Sequence, residues 1–173
     1  MREALRPFTR EERERVFAAA DQVEIRGRSK GWLGRLCRVL CYTGWHPAVL
    51  YRSGEFRPAL QHGRLQWIRP KNRRQMELPV HRELAPWIQE WLLEPRPRGP
   101  ARYTQLLDQV GERAGMKVNA LRFRHTACII LIRDLHLPSS DVQRLLGVTA
   151  KTLLVYAERP IEDIQMDMEK AGW

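Results

Sequence analysis

Lysine is scarce in this chain of 173 residues: of its 30 basic side chains only 5 are lysine and 25 are arginine. Cysteine is scarcer still. Cys37, Cys41 and Cys128 are an odd number in apolar helical surroundings, which excludes a disulfide framework and a thiolate metal site and predicts buried thiols in a reducing compartment. Long apolar runs are missing too. The longest, around Ile129–Ile132, falls far short of the roughly 20 residues that a membrane helix needs, and no signal peptide is legible. These absences predict a cytoplasmic protein with no membrane partner. There is no internal repeat.

What is present is positive charge. Twenty acidic residues leave a formal charge of +10 and a pI near 10.2. Guanidinium forks match phosphate oxygens in pairs, so the arginine excess points to a polyanionic partner. A GC-rich genome or a heat-adapted surface would give the same bias, but the distribution is uneven. Residues 52–82 hold eight basic and two acidic side chains, whereas 159–173 are net acidic. That asymmetry favours nucleic acid. The length suits one domain with a sizeable core.

The elements can be read in order. Thr9-Arg10-Glu11-Glu12 is a capping box that starts a helix burying Val16, Phe17 and Ala20. Arg26–Gly31 is a polar link. A strongly apolar helix, Trp32–Tyr42, stops at Thr43-Gly44. A small sheet follows, with strands over Glu55–Leu60, Leu65–Arg69 and Gln75–Val80, turned at Gly63 and at Pro70-Lys71-Asn72-Arg73. His81–Leu93 reads as a helix packing Leu84, Trp87, Ile88, Trp91 and Leu92. Glu94–Pro100 is a proline-rich loop. Ala101–Ala114 is a helix with Leu106, Leu107 and Val110 inward, ended by Gly115.

The stretch from Val118 to Pro160 carries the most information. Ala120–Leu135 spaces Leu121, Phe123, Ala127, Cys128, Leu131 and Ile132 as one buried helical face. His136–Ser140 breaks it, with Pro138 in a first turn and serine as a cap. Val142, Leu145 and Leu146 then point inward, and Gly147 closes that helix. A short helix, Thr149–Ala157, carries Tyr156 near its end. A last helix runs from Pro160 to Gly172.

Arg124-His125-Thr126 at a helix start, Leu145-Leu146-Gly147-Val148, and Tyr156 shortly after form an ordered set with matching punctuation. This set resembles the catalytic domain of tyrosine recombinases, the phage-integrase family. Cys41–Leu50 is a second point of likeness, where the family commonly has Tyr-x-Thr-Gly-x-Arg followed by Glu-Leu. The resemblance implies a mainly α fold with a small three-stranded antiparallel sheet (α+β). It implies one catalytic-type domain over 1–173, with the family's N-terminal clamp domain expected to be absent. It also implies strand exchange without a cofactor or metal: Tyr156 as nucleophile through a 3′-phosphotyrosyl link, Arg124 on the phosphate, and Lys71 as general acid. On residue type alone, Lys71 could equally be a solvated turn lysine and Tyr156 a packed aromatic.

The pattern departs from the family at telling places. His46 stands where an arginine grips the scissile phosphate, and Val49 stands at the glutamate. Leu121 and Val148 stand where histidines, or a tryptophan at the latter, are expected, and the Gly147–Tyr156 interval is about one residue short. Histidine, mostly neutral at pH 7, presents no two-pronged cation. Each lost transition-state donor costs ~10²–10³ in rate.

The expectation is therefore a duplex-DNA-binding protein with a degenerate site and impaired or lost cleavage. It would regulate transcription, organise a complex or modulate a recombinase. An active, divergent recombinase, with His46 or Arg52 standing in for the missing cation, is the alternative. An unrelated helical basic protein that binds RNA is a third. Candidate DNA contacts are Arg52, Arg69, Arg73, Arg74, Arg122 and Lys151. The segment 160–173 is a candidate contact to another copy or to another recombinase subunit.

Overall fold

Thr9 opens the first helix in the way its capping box demands. Its hydroxyl accepts the Glu12 N–H at 3.2 Å, and the Glu12 carboxylate accepts the Thr9 N–H at 2.9 Å. Two donors that the helix would leave unpaired are thereby satisfied. The computed structural model describes residues 6–45, 49, 58–69, 73–80, 82, 84–94, 99–157 and 168–169. The chain divides into two compact units, Met1–Ala127 and Cys128–Trp173.

In the first unit, α1 (Arg10–Asp21) packs on α2 (Trp32–Thr43). Helix α2 is apolar on most sides and buries Trp32, Leu33, Leu36, Cys37, Val39 and Leu40. It ends where Gly44 turns left-handed at φ 56° and donates to the Leu40 carbonyl. A residue with a Cβ is disfavoured there. The sheet is antiparallel in the order β1-β2-β3, formed by Ala59–Gln61, Arg64–Ile68 and Gln75–Pro79. His62 and Gly63, both at positive φ, join the first two strands in two residues, as a tight hairpin requires. Leu65 and Trp67 on β2, and Met76 and Leu78 on β3, are buried, whereas Gln75, Glu77 and Pro79 are exposed. This alternation is that of a sheet with one face on the core.

Helix α3 (Ala85–Leu93) packs on α2 and β1, and α4 (Pro100–Ala114) packs on α1. The helix expected from His81 begins only at Ala85. Pro86 in its first turn explains the late start, because proline is tolerated there and not further in. Trp87, expected in the core, is 44% exposed. Its ring instead lies beside Arg38, which also stacks on Phe17 and forks onto Asp21 through two 2.8 Å hydrogen bonds. The core proper is marked by Trp45, which meets Trp67 and Trp91 with ring centroids 5.6 and 5.8 Å apart. Gly115, left-handed at φ 65°, closes α4 and starts the turn into α5 (Ala120–Ile129).

The second unit starts with the end of α5. The helix expected to continue regularly to Leu135 widens over Ile130–Asp134 into a π-type turn, closed by the Leu135 N–H on the Ile130 carbonyl at 2.9 Å. Ile129, Ile130, Leu131 and Ile132 are half-buried there. Helix α6 (Ser139–Leu146) has Pro138 at its cap position, one residue earlier than expected, and no serine hydroxyl caps it. Val142 and Leu146 are buried, and Gly147 ends the helix at φ 63°. Helix α7 (Ala150–Ala157) follows and packs on α6. Of the helix expected over 160–172, only Met168 and Glu169 lie within the described residues, both helical and exposed. No helix among the described residues is long and apolar enough to cross a membrane.

Candidate functional site

Helix α5 carries the candidate arginines Arg122 and Arg124 of the first unit. Asn119 caps it, its side-chain oxygen accepting the Arg122 N–H at 2.8 Å. With about 100° per residue, Arg122 and Arg124 leave the helix on nearly opposite sides. Their fates differ accordingly.

Arg124 is half-buried, and its Nη1 donates to the Gly44 carbonyl at 2.6 Å. Gly44 is the left-handed cap of α2. Next to it, Thr43 donates its hydroxyl to the Val39 carbonyl and accepts the Trp45 N–H. The Thr-Gly-Trp loop and the Arg-His-Thr helix, 80 residues apart, are thus joined through a charge-assisted hydrogen bond. His125 and Thr126 are buried behind it.

Arg122 is not a surface cation. Its side chain is 0% exposed, and its guanidinium donates to the Arg6 carbonyl at 2.8 Å, the Lys117 carbonyl at 2.5 Å and Glu12 Oε2 at 3.3 Å. It also lies 4.0 Å over the Phe8 ring. The expected role in DNA contact is therefore corrected: every face of this fork is turned inward. Glu12 is the other half of the cluster, and it takes a further ion pair from Arg6. Burial works against its charge, but the Thr9 N–H, the Arg6 hydrogen bond and the charges of Arg6 and Arg122 outweigh that and hold its carboxyl below the ordinary value. The capping box foretold Glu12 turning back on Thr9. Nothing local foretold its partner 110 residues away.

The other candidates fall as follows. Leu121 lies one turn before Arg124 on the same side of α5 and is 44% exposed, not part of the buried face expected of it. Arg69 is half-buried, and Arg73 and Arg74 are exposed, at the end where β2 turns into β3. The Arg69 N–H donates to the Arg74 carbonyl and the Arg73 N–H to the Arg69 carbonyl, which draws these three backbones together. Lys71 between them, and His46 and Arg52, lie outside the described residues. In the second unit, Val148 is half-buried after Gly147, and Lys151 is exposed in the first turn of α7. Tyr156 belongs to the last turn of α7, with its side chain outside the described residues.

Solved structures share this fold. XerA recombinase superposes with a TM-score of 0.69 at 17% identity, over 95% of this chain and 63% of its own. XerH site-specific recombinase, bound to its difH substrate in a pre-cleavage complex, matches with a TM-score of 0.63 at 18% identity, over 92% of this chain and 52% of its own. The fold is that of a tyrosine-recombinase catalytic domain. The catalytic domain of bacteriophage HP1 integrase gives a TM-score of 0.63 at 17% identity and spans both chains almost fully, 88% of this one and 87% of its own. Against XerA and XerH, this recombinase-type chain covers less than two thirds of the partner's length. No family model and no curated protein sequence matches it.

Proposed function

We propose that this chain binds duplex DNA through its recombinase-type fold and that its strand-cleavage activity is impaired or lost, so that it acts by occupying DNA or by modulating recombination. The observation that carries this reading is the contrast between Leu121 and Arg124 on α5. Arg124 keeps a charged fork at the Gly44 loop, whereas Leu121, exposed one turn away on the same side, offers a phosphate no donor. Val148, half-buried, repeats that loss in the second unit. Binding needs only cations near the backbone, and exposed Arg73 and Arg74 supply them. Cleavage needs fixed donors around the transition state. The XerH neighbour holds its difH substrate, which supports a DNA partner here. Three buried free thiols support a reducing, cytoplasmic setting.

The test has two parts. In a mobility-shift titration of a short duplex, affinity should fall steeply with salt. Arg73→Ala and Arg74→Ala should each lower the log–log slope by ~0.9, the share of one phosphate contact. Absence of binding at low salt would remove the DNA partner. Incubation with a nicked suicide duplex should then give no phosphotyrosyl adduct. An adduct that Tyr156→Phe abolishes would establish the second reading, a divergent active recombinase, which the Arg124–Gly44 contact favours.

A further inference from the structure

We infer that the segment Arg6–Thr9 is a strap that positions Arg124, by fixing α5 from the side opposite the Gly44 loop. This deepens the DNA-binding reading and rests on it for its consequence in affinity.

The strap is pinned along its length. The Phe8 N–H donates to Thr126 Oγ1 at 2.9 Å, and Thr126 in turn donates to the Arg122 carbonyl at 2.8 Å. The Phe8 ring packs against Phe123 at 5.2 Å between centroids and lies under the Arg122 guanidinium. The Arg6 carbonyl accepts from Arg122 Nε. At its end, Thr9 passes into α1 through the Glu12 box, and Glu12 reaches back to Arg122. Arg122 and Thr126 are four residues apart, so one face of α5 carries both attachments.

Arg124 leaves from the far side, where its Nη1 donates to the Gly44 carbonyl. A helix held on two opposite sides cannot roll about its axis. Freed on one side, it can. A guanidinium about 6 Å from the axis moves about 1 Å for a roll of about 10°. Directed along the bond, that displacement lengthens the 2.6 Å contact to about 3.6 Å, out of hydrogen-bond range. Arg122, Phe8 and Thr126 are thus positioning residues: they touch no ligand and act through Arg124.

The test reads Arg124 directly. Arginine side-chain NMR, with the Arg124 signal assigned by its loss in Arg124→Lys, should show slowly exchanging Nη hydrogens in the parent protein. Phe8→Ala or Thr126→Val should speed that exchange at least tenfold, and Thr126→Ser, which keeps the hydroxyl, should restore it. Ile88→Val, a core change on α3, is the control for general loosening and should leave the signal alone. Should Phe8→Ala fail to fold, Phe8→Leu removes the aromatic contact with less volume lost.

Unchanged Arg124 exchange in the strap variants, or an equal change in Ile88→Val, would overturn the inference. A DNA-binding cycle follows. Phe8→Ala and Arg124→Ala should each weaken duplex binding severalfold, and together no more than Arg124→Ala alone. Additive losses would again overturn the strap's action through Arg124. If Arg124→Ala leaves affinity unchanged, the DNA reading of this site fails, while the NMR result still decides the strap.

Discussion

Removing the Glu12 carboxylate should be among the most damaging single changes in this protein. Its two oxygens take the Thr9 N–H, the Arg6 guanidinium and the Arg122 guanidinium. In Glu12→Ala, the fully buried Arg122 keeps two carbonyl partners but loses the charge that neutralises it. Breaking one side of a buried ion pair costs about 3–5 kcal/mol. For a chain of this length, that lowers the melting temperature by roughly 6–20 °C.

Thermal unfolding by circular dichroism, with urea titration for the free energy, measures it. Glu12→Gln combined with Arg122→Met, which removes both charges, should recover much of the loss, giving a coupling of at least ~2 kcal/mol in the double-mutant cycle. Acid adds an independent reading. The folded carboxyl titrates below its ordinary 4.5, so its contribution is complete at neutral pH and is lost as pH falls through the lowered folded value. The acid limb of the stability curve should therefore be shallower in Glu12→Gln. A loss under about 1 kcal/mol in Glu12→Ala, or strict additivity in the cycle, would refute the buried-pair argument.

Other consequences can be checked directly. Burial pushes the Cys37 thiol far up and the Cys41 thiol to about 11 from the ordinary 9.0. A thiol reagent at pH 8 should therefore label neither until denaturant is added. Because both folded values are raised, stability should be intact below pH 9 and should decline above it as the unfolded thiols ionise. Gly111 sits where an added Cβ would meet the Met116 carbonyl oxygen at 2.7 Å. That oxygen belongs to the backbone leading into α5, so Gly111→Ala should cost about 1–3 kcal/mol in urea unfolding. Leu121→His, at an exposed position, should change stability by no more than about 0.5 kcal/mol. A larger loss by the same measurement would mean that the leucine holds α5 in place.

The elements were legible wherever local chemistry sets them. The Thr9 box, the left-handed glycines at 44, 115 and 147, and the alternation of Met76 and Leu78 each act within a few residues, and each feature is where the pattern put it. The departures have tertiary causes. The Trp87 spacing fits a buried face, yet Arg38, anchored by Asp21, covers that ring from outside. The spacing around Ile130 fits a regular helix, and a periodicity count cannot register the extra residue taken up by a π turn.

The site was legible as motifs but not as a division of labour among arginines. Arg122 and Arg124 are the same residue type two positions apart, and composition assigns both to phosphate. Helical geometry separates them: one turns to the strap and becomes the buried partner of Glu12, while the other reaches the Gly44 carbonyl. Arg35 on α2 is likewise turned in, onto Glu94, and Arg38, though nearer the surface, is engaged by Asp21. Part of the arginine excess is therefore internal, and a net charge of +10 overstates the number of forks a polyanion can meet. What a duplex can reach depends on side-chain direction, and here that is set by contacts more than a hundred residues apart in the chain, Phe8 with Thr126 and Glu12 with Arg122. Total charge points to a polyanion, but which forks could meet one is set by the fold.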